Sequence, residues 1–547
     1  MHDDYVKFFK FAQWRIERTG YGVLAFISNH GYLDNPTFRG MRQSLMNTFD
    51  DIFILNLHGN TKKKELAPDG GPDQNVFDIQ QGVAIGLFVK RTKGGKRQTP
   101  IRYADLWGLR EILEDGIDGE MVVGGKYHWL WTSDISTTDW QKLDPVAPFY
   151  AFIPQEAEIR DEYQAFWSLR DVLPINTVGI VTARDDLTVK MSVAEVLATV
   201  KDFSSLGVEE ARGKYRLGKD ARDWKVAFAQ QDLRAEPIQP DRVIPLLYRP
   251  FDARFTYYTG KSRGFIGQPQ KRVMQHMLGG PNLGLSTARK IDVQGGWEHA
   301  FCTSMPIQHH TVSLKEVNYL FPLYLYPEGL FQSANGALDR TANLAPAFIE
   351  SLTSAVSLQW VALGRGDLGK TVGPEDAFNY IYAILYCPGY RLRYDEFLRG
   401  DFPRIPLTVN LSLFQQLCHL GSRLVGLHTL SKPLPVVSKY PVAGSDVAEG
   451  VRYTSPGQGA AAGRIWINAA QYFEGISEEL WEFRIGGYQV AEKWLKDRKG
   501  NQLSYDDLTH YQQVLAALDG TMSLMVAIDE AVDQSGGWPF GGTRAGN

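Results

Sequence analysis

The stretch DQNVFDIQQGVAIGLFVKR, Asp73 to Arg91, decides how the chain is read. From Val83 to Val89 it is an unbroken apolar run with the length and composition of a buried strand. Ahead of the run a lone aromatic, Phe77, stands among Asn75, Asp78, Gln80 and Gln81. It either packs into a core where the strand begins or is displayed for another purpose. Upstream, Tyr5, Phe8, Phe9, Ala12 and Ile16 fall at helical spacing between Asp3 and Thr19, and Gly20 and Gly22 end the pattern. GVLAFIS, Gly22 to Ser28, is apolar without alternation, which predicts a parallel strand covered on both faces. Asn35 then caps a second helix with Pro36 at its first position, its buried side marked by Phe38, Met41, Leu45 and Phe49. DIFILNL, Asp51 to Leu57, adds a strand, so the order helix, strand, helix, strand, long loop, strand is an α/β pattern.

The 547 residues exceed one ordinary core, so two or three domains are expected. Hydrophobic content of 44% and charged content of 22% are those of a soluble globular protein. Cys302, Cys387 and Cys418 lie far apart with no CxxC pair, which argues against a zinc site or a disulfide framework and for the cytoplasm. No apolar run approaches the length of a membrane span and no signal peptide is visible, so no membrane partner is expected. His309 and His310 have no partners at metal-ligand spacing, so no metal or acid–base role is assigned. A net charge of −4 gives no global case for nucleic acid, and local clusters must carry it: Lys62 to Lys64, the run from Lys90 to Arg102, and the cations between Arg249 and Arg272.

Several long strings resemble a known family. GYGVLAFISNHGYLDNPTFRGMRQSLMNTFDDIFILNLHGN and DQNVFDIQQGVAIGLFVK are similar to the fifth, sixth and seventh strands of adenine-N6 DNA methyltransferases. LLYRPFDARFTYYT, NYLFPLYLYP, YIYAILYCPGYRLRYDEFLRGDFPRIPL and FRIGGYQVAEKWLKDRKGNQLSYDDLTHY resemble the C-terminal target-recognition region of type ISP restriction–modification enzymes, so the likeness is nearly full-length. The resemblance implies that Phe77 stacks on a target adenine swung out of the duplex, with Asn75, Gln80, Asn29 and Tyr32 as the expected walls of the target-base pocket. In YRPFDARFTYYTGKSRGFIGQPQKR cations and aromatics interleave, a composition suited to gripping phosphates while bases are read or stacked. Arg249, Arg254, Tyr258, Arg263, Lys271 and Arg272 are the expected contacts to double-stranded DNA, with Asp252 the alternative, internal partner of Arg254.

The family's Asn/Asp-Pro-Pro-Tyr/Phe element, which draws charge onto the attacking amine, is absent, and so no catalytic residue is assigned. NPTF at Asn35 is explained by helix capping. The loop that would hold S-adenosylmethionine is absent too. GRGDLG at Gly364 follows a helix pattern without a placed acidic partner and reads as an ordinary loop. S-adenosylmethionine is therefore expected only in a completed enzyme, with a second polypeptide, or a longer form of this chain, supplying the N-terminal half of the methyltransferase domain. The alternative is a stand-alone sequence-specific DNA-binding protein without catalysis.

The expected fold is α/β, a partial Rossmann-like methyltransferase sheet with its last three strands, followed by a mixed α+β target-recognition domain with a helical C-terminal part. The corresponding spans are 1–102, 103–330, 331–535, and a disordered tail at 536–547. Within the helical part, PEDAFNYIYAILY opens with acids in its first turn, and Ser504 with Asp507 makes a capping box for a last long helix.

Overall fold

The computed structural model describes residues 4–61, 66–92, 99–116, 119–147, 149–154, 157–291, 296–327, 340–457 and 462–540. Two compact units are present, one built from Met1–Arg160, the other from Asp161–Ile291 and Gly295–Asn547.

In the first unit, strands β1 (Gly22–Asn29), β2 (Asp51–His58), β3 (Val83–Lys90) and β4 (Ile101–Asp105) join the short strand Gln141–Leu143 in one sheet. The order is β1-β3-β2-β4 and then Gln141–Leu143. β3 is antiparallel to both its neighbours, with Val83 opposite Asn29 of β1 and opposite His58 of β2. β2 and β4 are parallel. The carboxyl ends of β1, β2 and β4 therefore meet at one end of the sheet, where the segment carrying Phe77 enters β3.

The two faces of β2 divide by the period-two rule. Ile52 and Ile54 share an apolar layer with Phe9, Ile16, Leu45, Phe49 and Phe88, provided largely by helices α1 (Asp4–Thr19) and α2 (Arg39–Thr48). Leu55 and Leu57 lie in the opposite layer with Val76, Val83 and Ala104, against which Tyr127, Trp129 and Trp140 pack. Each such buried side chain contributes about 1.5–3 kcal/mol.

β1 departs from the expectation of a doubly covered parallel strand. Among the described residues it is the edge of the sheet and pairs only with β3, antiparallel. Leu24 and Phe26 pack on the layer under α1, while Val23 and Ile27, on the other face, are 63% and 39% exposed. An unalternating apolar run implied two covered faces, yet within the described residues only one is covered. Asn35 does cap, but its carboxamide oxygen accepts from Thr37 N at 2.9 Å to start a short 3-10 turn, Pro36–Phe38, which leads into α2.

The expected boundary at residue 102 falls inside β4, whose pairing to β2 and to Gln141–Leu143 carries the compact unit on to Arg160. The second unit is not divided near residue 330. Residues from Ile180 to Leu320 and from Ile465 to Leu518 share one core cluster. That unit holds the hairpin Val243–Arg249 and Asp252–Tyr257, a four-stranded sheet centred on Gly284–Ala288 and Asn318–Pro322, and the helices Pro374–Tyr386, Leu411–His428 and Tyr505–Gln534. Ser504 and Asp507 form the predicted reciprocal cap of the last helix. The tail expected to be disordered from residue 536 is ordered at Trp538, whose ring packs 5.5 Å from Tyr390; residues 541–547 lie outside the described residues. All three cysteines are buried and free. Among the described residues no helix is long and apolar enough to cross a membrane, and no cluster of His, Cys, Asp and Glu could hold a metal ion.

Candidate functional site

Phe77 is 44% exposed and sits on an irregular segment that ends at Gly82, immediately ahead of β3. What fixes this segment is a set of buried polar groups. Lys126, wholly buried on the helix Gly125–Thr132, forms an ion pair of 2.7 Å with the equally buried Asp73. Its ammonium also donates to the carbonyls of Leu57 and Gln74, at 2.7 and 2.6 Å. Asp73 accepts in turn from the amides of Gly59 and Gly108, at 2.6 and 2.8 Å. Asn75 donates to the carbonyls of Gly59 and Gln81 and accepts from Phe77 N at 2.9 Å. Arg110 donates to the Asn75 carbonyl and pairs with Asp78, while Tyr127 donates to the Val76 carbonyl at 2.6 Å. Gly59 is required here: its φ is +79°, and a Cβ would lie 2.3 Å from the Asn75 Cα. The backbone on both sides of Phe77 is thus stapled, and the ring is presented from a rigid base.

Beneath this segment the strand ends carry a connected polar cluster. His30 hydrogen-bonds Asn56 Oδ1 at 3.1 Å through Nδ1, and since that oxygen can only accept, Nδ1 carries the hydrogen. Asn56 donates to the Tyr103 hydroxyl at 3.0 Å, and Tyr103 in turn donates to Asp105. Asp105 also pairs with His58 at 2.5 Å, and Trp107 lies flat over the His58 ring. Burial and the bond to Asp105 push the Tyr103 hydroxyl well above its ordinary pKa. His30 also crowds Gly82, where a Cβ would meet its ring at 2.3 Å, which ties the end of β1 to the start of β3.

The other residues expected around the target base divide. Gln80 is exposed beside Phe77. Asn29 is partly buried and its side chain accepts from Gly31 N at 2.7 Å, so it shapes the turn after β1. Asn75 is buried and holds the segment rather than lining an open pocket. Tyr32 is a core residue: its ring is fully buried against Phe9, and burial drives its hydroxyl pKa far up. Sequence reading missed Asp73, Arg110, Lys126 and Tyr127, which are scattered along the chain. It also missed Arg42, whose guanidinium is buried and donates to the carbonyls of Tyr32, Asn35, Phe149 and Tyr150. Burial lowers its pKa to about 10.

The expected DNA contacts divide as well. Arg249 is buried and donates to the Tyr248 carbonyl, to Gln308 and to the His310 carbonyl, at 2.5, 3.1 and 3.2 Å. Arg254 grips Asp252 with Nε at 3.0 Å and Nη2 at 2.8 Å and stacks over Tyr248. Asp252 is itself buried and also bound by Arg498 at 2.9 Å. Both arginines are thus committed inside the unit: Arg249 is corrected as a DNA contact, and Arg254 takes the internal pairing with Asp252 that the sequence left open. Tyr258 donates to the Pro269 carbonyl at 3.0 Å, a structural bond.

Arg263, Lys271 and Arg272 are exposed and come together around one cavity of about 360 Å³, with Gly260, Ser262 and Gln268 among its lining. Of the basic runs nearer the N-terminus, Arg91 and Arg102 pair with Asp51 and Lys90 donates to the Thr48 carbonyl. Lys62 to Lys64 and residues 93–98 lie outside the described residues.

Comparison with known proteins places this architecture. The ATP-dependent Type ISP restriction–modification enzyme LlaBIII bound to DNA matches over 97% of this chain at a TM-score of 0.64 and 18% identity. A nuclease-deletion mutant of the Type ISP enzyme LlaGI in complex with a DNA substrate mimic matches over 97%, at 0.64 and 19%. The DrdV–DNA complex also matches over 97%, at 0.63 and 20%. The chain spans 34%, 40% and 52% of those three chains, respectively. The fold is therefore shared with part of each of these chains. The family model for the Type ISP C-terminal specificity domain matches residues 171–526, and the chain belongs to that family. No curated protein matches it. The resemblance read from the sequence, to the C-terminal part of a type ISP restriction–modification enzyme, is borne out.

Proposed function

We propose that the chain is the part of a site-specific adenine-N6 DNA methyltransferase, in a type ISP restriction–modification enzyme, that recognises double-stranded DNA and holds the target adenine. It is incomplete for catalysis alone. The observation that carries this reading is Phe77, a half-exposed ring on a segment stapled by Lys126, Asp73 and Asn75 at the end of the sheet where three strands finish. Methylating an amine inside a duplex requires the base to be swung out. An aromatic face returns roughly 1–3 kcal/mol of the stacking that is lost.

The reading assigns no residue of this chain to S-adenosylmethionine. GRGDLG closes on itself between the strands Gln359–Trp360 and Thr371–Val372, its Asp367 engaged by the amides of Gly369, Lys370 and Thr371. In this reading the methyl donor is held by the N-terminal half of the domain, on a second polypeptide or on a longer form of this chain. The unpaired edge of β1, with Val23 and Ile27 exposed, supports such a neighbour, because an open apolar strand edge is a pairing site. The setting is cytoplasmic, where three buried free thiols stay reduced.

A stand-alone specificity protein is the second reading, favoured by a family match confined to residues 171–526. The test mixes this chain with a polypeptide carrying the missing half, labelled S-adenosylmethionine and duplex DNA. Label in N6-methyladenine is expected. Phe77→Ala should lower it tenfold or more while changing stability by no more than about 1 kcal/mol, as befits a half-exposed side chain. Sequence-selective binding with no label in any pairing would favour the second reading. Equal loss of labelling and stability would make Phe77 a core residue.

A further inference from the structure

The cavity in the second unit has a construction that its residue composition did not disclose. Its loop, between Thr259 and Gln270, is fixed from below. Asp232 accepts from Phe265 N at 2.8 Å and from the Thr259 hydroxyl at 2.9 Å, leaving no room for a side chain at Gly264, where a Cβ would lie 2.1 Å from that carboxylate. Trp224 donates to the Phe265 carbonyl, Arg263 N to the Gly267 carbonyl, and Gln268 exchanges backbone bonds with Val181. Arg263 and Gln270 both hold left-handed backbone conformations, φ +59° and +53°, which such anchoring maintains.

On this fixed frame the charges are unbalanced. Arg263, Lys271 and Arg272 have no ion pair among the described residues. The one carboxylate among the described lining residues, Asp223, is gripped by Arg222 at 3.0 and 2.8 Å, and this pairing, with a smaller pull from Arg263, holds its pKa below the ordinary carboxylate range. Three cations line one concavity against a single acid that Arg222 already engages, so its lining is net positive, the charge that an anion would balance. The carboxamide of Gln270 donates to that of Gln268 at 3.2 Å and accepts from Thr177 at 3.1 Å, which engages the Gln270 side chain within the loop.

We infer that this cavity is a phosphate socket that seats a backbone phosphate of the bound DNA and fixes its register without reading sequence. The inference rests on the DNA-recognition reading above and assigns the cavity to positioning. The same chemistry would accept free phosphate, and the experiment separates the two sources.

Wild type and the triple variant Arg263→Gln, Lys271→Gln, Arg272→Gln, each shown to be folded by thermal melting, are titrated with two duplexes over a range of salt. One duplex is selected from a random pool by the wild-type protein, the other is unrelated. Inorganic phosphate is titrated separately. The triple variant should bind both duplexes at least tenfold more weakly with their ratio unchanged, and its dependence of log affinity on log salt should be shallower by about one. A folded triple variant with unchanged affinity and salt slope would overturn the socket while leaving DNA recognition standing. A changed ratio would overturn it by showing that the cations read bases. Failure of the wild type to bind any duplex removes the underlying reading. Saturable inorganic phosphate binding lost in the variant would then keep the anion site with a free ligand, and its absence would remove the site too.

Discussion

Lys126 and Asp73 illustrate what sequence reading could not see. Nothing near either residue in the chain marks it as buried, and the pair exists only because the helix Gly125–Thr132 packs under the Phe77 segment. Removing one partner of a buried, fully hydrogen-bonded pair leaves the other uncompensated, which costs about 3–5 kcal/mol. Lys126→Met is therefore expected to destabilise the first unit by that order, and Lys126→Met with Asp73→Asn to recover part of it; chemical denaturation of both variants measures this. An equal loss in single and double variants would contradict the account. The exposure of Phe77 was open in the sequence: with Val76 and Ile79 beside it and polar residues around them, the segment suits a packed ring as well as a displayed one. Arg249 and Arg254 were misplaced because interleaved cations and aromatics look the same whether they face phosphates or, as here, carbonyls, Gln308 and Asp252. Tyr32 was misplaced because only the packing of α1 and β1 shows that its ring is sealed.

Elements with terminal signals were read well. The last helix starts at its Ser504–Asp507 cap, and Pro374–Tyr386 has the expected bounds. Strand character was equally plain for β1, β2 and β3, but pairing was not: an apolar run does not say whether its neighbours are parallel, nor on which side a neighbour lies. β1 shows the consequence. Because Val23 is exposed on a strand whose outer edge has no partner among the described residues, Val23→Lys should leave the melting temperature of the isolated chain within about a degree and reduce self-association seen by light scattering. The same variant should lose methylation in the mixed reaction, where that face would be covered. A large drop in the isolated chain's stability would mean that Val23 already packs on this chain, and full reconstitution would mean that the edge stays open in the enzyme.

For the whole molecule, burial of neutral imidazoles sets a pH dependence. Burial lowers the pKa of His299 to about 3, His309 to about 4 and His428 to about 3. In the unfolded chain each titrates near 6.5. Between these values the unfolded state binds the extra protons, so stability present above pH 6.5 is lost as pH falls, by about 1.4 kcal/mol per pH unit for each ring. Melting temperature should decline from pH 6.5 toward pH 4.5, and His428→Gln should show a shallower decline; an identical slope would exclude His428 as a contributor. His428 is the clearest of the three, seated between the Tyr382 hydroxyl and Thr521. The general architecture, an α/β unit followed by a mixed unit with long C-terminal helices, was legible from periodicity, whereas the extent of the first unit to Arg160 depends on β4 and Gln141–Leu143, too short to stand out. The most direct measurement places 5-iodouracil at the target adenine position of a duplex bound by the completed enzyme, irradiates it, and maps the cross-linked peptide by mass spectrometry. A cross-link at Phe77 is predicted, and cross-linking found only at other residues would contradict a base held against that ring.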